Sequence, residues 1–144
     1  MNRQEAIRLL ALIKVAYPTA YKDMDNASKQ ATVNMWAGSF PDVPYPIMEQ
    51  AFNYFRMKSK YPPTVAEMVE ELRGIYYKAT ECAMTHKALG HEDEVERFRA
   101  IMACTLPYKD NNYLGLQLGS LQLLELGGGQ SERQRLGTSG DNLD

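Results

Sequence analysis

Cys82, His86, His91 and Cys104 are the residues whose types suit a metal, and Cys82 and His86, four apart, share one face if their segment is helical. Four nitrogen and sulfur ligands are what a tetrahedral structural zinc takes, and a chain break at Gly90 would turn His91 and Cys104 back toward the first pair. The 12 residues between His91 and Cys104 are not a compact finger spacing, and an unpaired cysteine is commonly a small buried hydrophobe. No metal and no other cofactor is therefore expected, with a zinc-stabilised interaction domain as an alternative.

Other chemistry finds less support. The only glycine cluster, Gly127 to Gly129, runs into Gln130 and Ser131 instead of a Gly-Lys-Ser/Thr ending, so a phosphate-cradling loop is excluded. Serine nucleophile elbows and the His-Glu-x-x-His helix are absent, and two histidines leave few general bases. An enzyme is not expected. Arg56, Lys58 and Lys60 beside Tyr61 form the densest basic patch, able to meet phosphate while the ring stacks on a base. The plainer reading is that these cations complement the C-terminal dipole of a helix. Charge favours the plainer reading: 16 basic against 18 acidic side chains give a net −2, which gathers no polyphosphate. Residues 1–89 hold 11 basic and 9 acidic side chains, whereas 90–144 hold 5 and 9. Strong direct nucleic-acid binding is not expected.

Helices must position these residues. Ala6, Ile7, Leu10, Ile13 and Ala16 fall on one face of a first helix over 3–16, closed by Pro18. Asp25 caps a second helix to about Ser39, with Ala27, Ala31, Met35 and Trp36 on its apolar face and Gly38 and Pro41 ending it. Pro44-Tyr45-Pro46 reads as extended or turned, leaving a third helix from about Ile47 to Ser59 with Met48, Ala51, Phe52 and Phe55 inward. Thr64 and Glu67 have capping-box spacing, and Val65, Met68, Val69, Leu72, Ile75, Tyr76 and Ala79 carry a long fourth helix toward Leu89. Met35, Met48 and Met68 are expected to fill the core. After Gly90, the acidic Glu92, Asp93 and Glu94 open a fifth helix with Val95, Phe98, Ile101 and Met102 on one face, ending before Pro107.

Beyond Tyr108 the pattern loosens. Leu114, Leu118, Leu121 and Leu124 share a face that Gly115 and Gly119 interrupt, a helix expected to form conditionally on a partner. Residues 127–144 carry too little apolar surface to offset ordering, so a disordered tail is expected. No sustained alternation suggests a strand. The fold class is all-α: a four-helix head over 1–89, a fifth helix with a conditionally folded partner-binding region over 90–126, and a mobile tail over 127–144. The 144 residues suffice for one core. Two distant cysteines and the lack of an N-terminal apolar run or an 18-residue apolar stretch point to a cytoplasmic protein away from membranes.

Three words in order, Ala11-Leu12-Ile13-Lys14-Val15-Ala16-Tyr17-Pro18, Val33-Asn34-Met35-Trp36-Ala37 and Tyr61-Pro62-Pro63-Thr64-Val65-Ala66-Glu67, make residues 1 to about 80 resemble the loader and inhibitor proteins of phage replicative helicases. The resemblance implies a small helical protein without an ATPase module that binds the ATP-loaded hexameric helicase of the host-cell cytoplasm. It further implies that the protein holds the helicase inactive and delivers it to an initiator bound at the origin, with helicase binding carried by the region after the head. The side chains expected to make that contact are Phe98, Ile101, Met102, Leu106, Tyr108, Tyr113, Leu114 and Leu118, apolar groups in acidic or glycine-rich surroundings. A helix-turn-helix DNA-binding module using Arg56, Lys58 and Lys60 is the main competing reading.

Overall fold

A computed structural model describes residues 1–110, which form five α-helices and a short 3₁₀ turn, with no strand among the described residues. Helix α1 spans Arg3–Ala16, α2 Asn26–Ser39, α3 Tyr45–Arg56, α4 Val65–Ala88 and α5 Glu92–Thr105, and the 3₁₀ turn spans Leu106–Tyr108. The all-helical class follows the hydrophobic periodicity, and none of these helices is long and apolar enough to cross a membrane. The conditional helix through Leu114–Leu124 and the tail over 127–144 lie outside the described residues.

Local chemistry sets the helix ends. Asn2 and Glu5 form a reciprocal capping box on α1, the Asn2 amide donating to Glu5 Oε2 at 2.7 Å and the Glu5 amide to Asn2 Oδ1 at 2.9 Å. Asp25 Oδ1 accepts from the Ser28 amide at 2.7 Å and starts α2. Thr64 and Glu67 close the capping box predicted for α4. At the other end of α4, Gly90 adopts φ 75°, its amide donates to the Lys87 carbonyl, and the His91 amide donates to the His86 carbonyl. That Schellman arrangement needs a residue tolerant of the left-handed region, and it folds α5 back on α4 as a hairpin.

Pro44-Tyr45-Pro46 departs from the extended expectation. Pro44 is the N-cap of α3, and Tyr45 and Pro46 are its first residues. Amides at that end have no intrahelical acceptor, so a missing proline N–H costs nothing there and the fixed φ favours helix. The helix therefore begins at Tyr45 and closes at Arg56, earlier than expected at both ends.

The helices pack in the order α2, α1, α3, α4, α5, each against the next. Between them lie Leu9, Ile13, Met48, Phe52, Met68 and Leu72, all without solvent exposure. Trp36 is 2% exposed and is the one buried residue of α2, so Ala27, Ala31 and Met35 are surface positions; Met35, expected in the core, is 53% exposed. On α1, Ile7 and Ala16 also face solvent, and Leu9 takes the inward place. The inward stripe of α1 is therefore Ala6, Leu9, Leu10 and Ile13, narrower than the expected face, with α2 and α3 packed beside the helix.

Candidate functional site

The partner-binding side chains expected on α5 do not share one environment. Phe98 and Ile101 are half-buried and line a groove of about 340 Å³ whose other walls are Gln50 and Tyr54 of α3 and Ile75 and Lys78 of α4. Met102 is half-buried and Leu106 is 48% exposed. These four offer apolar surface at or near the exterior. Tyr113, Leu114 and Leu118 lie outside the described residues.

Tyr108 is different. It is 1% exposed, its ring lies 5.7 Å from that of Phe40, and Phe40 lies 6.0 Å from Trp36. Its hydroxyl donates to the Ser39 carbonyl at 3.1 Å. Tyr108, expected among the partner-contacting side chains, is instead packed inside the fold, because the 3₁₀ turn after α5 carries it back onto the C-terminal end of α2. One compact unit accordingly runs from Met1 to Lys109. A boundary at residue 89 would part α4 from α5, the most extensively packed helix pair, and strip Tyr108 from Phe40.

The metal candidates are not assembled. His86 Nδ1 and His91 Nδ1 approach to 3.2 Å, one donating and the other accepting, and the His86 ring stacks on Phe98 at 5.5 Å. Among the described residues no three of His, Cys, Asp and Glu gather in a way that would hold a metal ion. Cys104 turns its thiol to the Ile101 carbonyl at 3.2 Å, and burial pushes that thiol above its ordinary pKa, disfavouring the thiolate a metal binds.

The basic patch is divided as well. Lys58 Nζ sits 2.6 Å from Glu71 Oε1, while Arg56, Lys60 and Tyr61 project into solvent. Arg56 lies in the last turn of α3, where a cation meets the negative end of the helix dipole.

Residues 1–69 match the family model for the N-terminal domain of gp39P. The family whose model that stretch matches is the gp39P family of phage helicase loaders and inhibitors. No curated protein and no solved structure matches the chain. The matched gp39P domain contains all three words behind the resemblance, and the structure gives each a packing role. Tyr17 meets Phe52 edge-on at 6.4 Å and donates its hydroxyl to the Ser59 carbonyl at 2.9 Å, tying the end of α1 to the turn after α3. Trp36 anchors α2, and Thr64 with Glu67 starts α4. The gp39P match ends in the first turns of α4, before every residue of the α5 surface. Sequence reasoning missed Tyr54 and Lys78 as groove walls, because only the packing of α3, α4 and α5 brings them beside Phe98.

Proposed function

We propose that this chain is a non-enzymatic phage DNA-replication protein that binds a hexameric replicative helicase in its ATP-bound form, holds it inactive and delivers it to an origin-bound initiator. The observation that carries the reading is the gp39P domain over residues 1–69. The α5 surface supports it: Phe98, Ile101, Met102 and Leu106 are apolar and accessible in part, and they lie outside the matched domain. Together with Tyr113, Leu114 and Leu118 they form the proposed helicase contact, Tyr108 acting as the clasp that seats the turn. Inhibition then needs no chemistry of its own, since a protein that binds one helicase state better than another shifts the population toward that state.

Calorimetry with the purified helicase of the phage or its host tests this, using the full chain, a chain ending at Asp110, and the full-length variant Phe98→Asp/Ile101→Asp. The full chain binds the helicase loaded with a non-hydrolysable ATP analogue more tightly than the ADP form, and both altered chains bind at least tenfold more weakly. A full chain that ignores the helicase in every nucleotide state refutes the function; unchanged binding by Phe98→Asp/Ile101→Asp refutes the placement on α5.

A further inference from the structure

A second surface lies at the other end of the row of helices, between α1 and α2. There a cleft of about 220 Å³ is walled by Ile7, Leu10, Met24 and Val33 and rimmed by Lys14 and Lys29. Ile7 is 45% exposed at its mouth, and both lysines are exposed. Neither lysine belongs to an ion pair among the described residues, although Lys29 lies close enough to Asp25 to favour that carboxylate. Asp25 is itself committed to capping α2 through Ser28.

Two further observations mark the place. Helix α2 carries a single charged side chain, Lys29, in 14 residues and yet buries only Trp36, so its outer face is exposed and charge-poor. The loop that floors the cleft holds Tyr21 at φ 56° and Asp23 at φ 60°, and Tyr21 lines the cavity. Asp takes that region readily, but a bulky ring such as Tyr21 seldom does, so the surrounding packing holds Tyr21 in place at the cleft.

The geometry points to a docking site for an acidic amphipathic helix of a partner protein, one apolar side chain entering the cleft and carboxylates one turn away meeting Lys14 and Lys29. An apolar helix without acid would leave two ammonium groups desolvated at the rim. A basic one would be repelled. The cleft shares no residue with the α5 surface, so one molecule can hold a partner at each, as delivery of one protein to another demands.

A displayed library of helical peptides with randomised surface positions, selected on the full chain, tests the inference. Enriched peptides carry Asp or Glu flanking an apolar anchor, and lose at least tenfold in affinity for the double variant K14E/K29E, which selects Lys- and Arg-bearing peptides instead. Val33→Asp loses both sets. Circular dichroism of K14E/K29E matches the parent, since both heads lie in solvent. The proposal is overturned by enrichment without acidic bias, by peptides that bind K14E/K29E undiminished, by a selection with no enrichment, or by dimerisation in sedimentation equilibrium that Val33→Asp abolishes, which would give the face to a second copy.

Discussion

Helices α3 and α5 are of similar length and opposite character. In 12 residues α3 buries Tyr45, Met48, Ala51, Phe52 and Phe55, whereas α5 in 14 residues buries only Val95 and Thr105. α3 is held on two sides by α1 and α4; α5 rests on α4 and on the turn that follows it. On α5 the charges pair along the helix, Arg97 with Glu94 at 3.4 Å and Arg99 with Glu96 at 2.6 Å, contacts worth about 0.3–0.5 kcal/mol each at most. The apolar side chains of α3 are explained by what they touch. Those of α5 at 98, 101 and 102 keep part of their surface in water, so packing within the described residues accounts for them less fully, and the proposed helicase contact would account for the rest. The family match covers α3 and stops before α5, although the packed unit itself continues through α5 to Tyr108.

The largest test of this contrast is truncation within each helix. Phe52→Ala is expected to cost about 3–5 kcal/mol by urea denaturation, and Phe98→Ala less than half as much, because Phe98 already keeps part of its ring in water. Equal losses would make α5 as much a core element as α3. Next in size, Thr64→Ala should cost about 0.5–2 kcal/mol and Thr64→Ser little, since the hydroxyl is what accepts the Glu67 amide. Matching losses for the two would shift the role to methyl packing. Tyr108→Phe keeps the ring against Phe40 but removes the bond to the Ser39 carbonyl, for an expected loss of about 0.5–1.5 kcal/mol in the same assay. No loss would mean that the clasp works by ring packing alone.

The smallest effect is a pH dependence. Hydrogen bonding from Ser28, side chain and backbone amide, holds the Asp25 carboxyl below its ordinary pKa. A carboxyl depressed in the folded state contributes stability that is full above its unfolded pKa and is lost as pH falls through the folded one. Thermal unfolding followed down through the acid range should therefore fall more steeply for the parent than for Asp25→Asn, which keeps an acceptor but does not titrate. Parallel profiles would remove Asp25 from the account of acid sensitivity.

Much of this was legible in the sequence, for local reasons. The limits of α1 and α2, the Thr64 cap and the Gly90 break are decided by residues within one turn of each other. Met48 and Phe52 could be placed inside because their stripe on α3 holds throughout, whereas on α2 only Trp36 of the expected stripe is buried. What escaped depended on distant neighbours. Met35 and Ile7 lie on apolar stripes yet face solvent, since nothing in their own helices tells how wide an arc the next helix covers. The burial of Tyr108 was not legible because its partners, Phe40 and Ser39, lie far back in the chain, Ser39 by 69 residues. The cleft between α1 and α2 was invisible for the same reason: Lys14 and Lys29 become neighbours only through the loop that joins the two helices.

The row of rings from Trp36 through Phe40 to Tyr108 also has an optical consequence. The chain contains one tryptophan, so emission excited at the red edge, where its nine tyrosines do not absorb, comes from a single indole lodged two rings from the end of the α5 segment. Any event that lifts Tyr108 off Phe40 admits water toward that indole and moves its emission to the red. An unlabelled protein thus reports whether α5 keeps its seat when a partner grips it, and a spectrum unmoved on binding would show that the partner takes only what the helix already holds out.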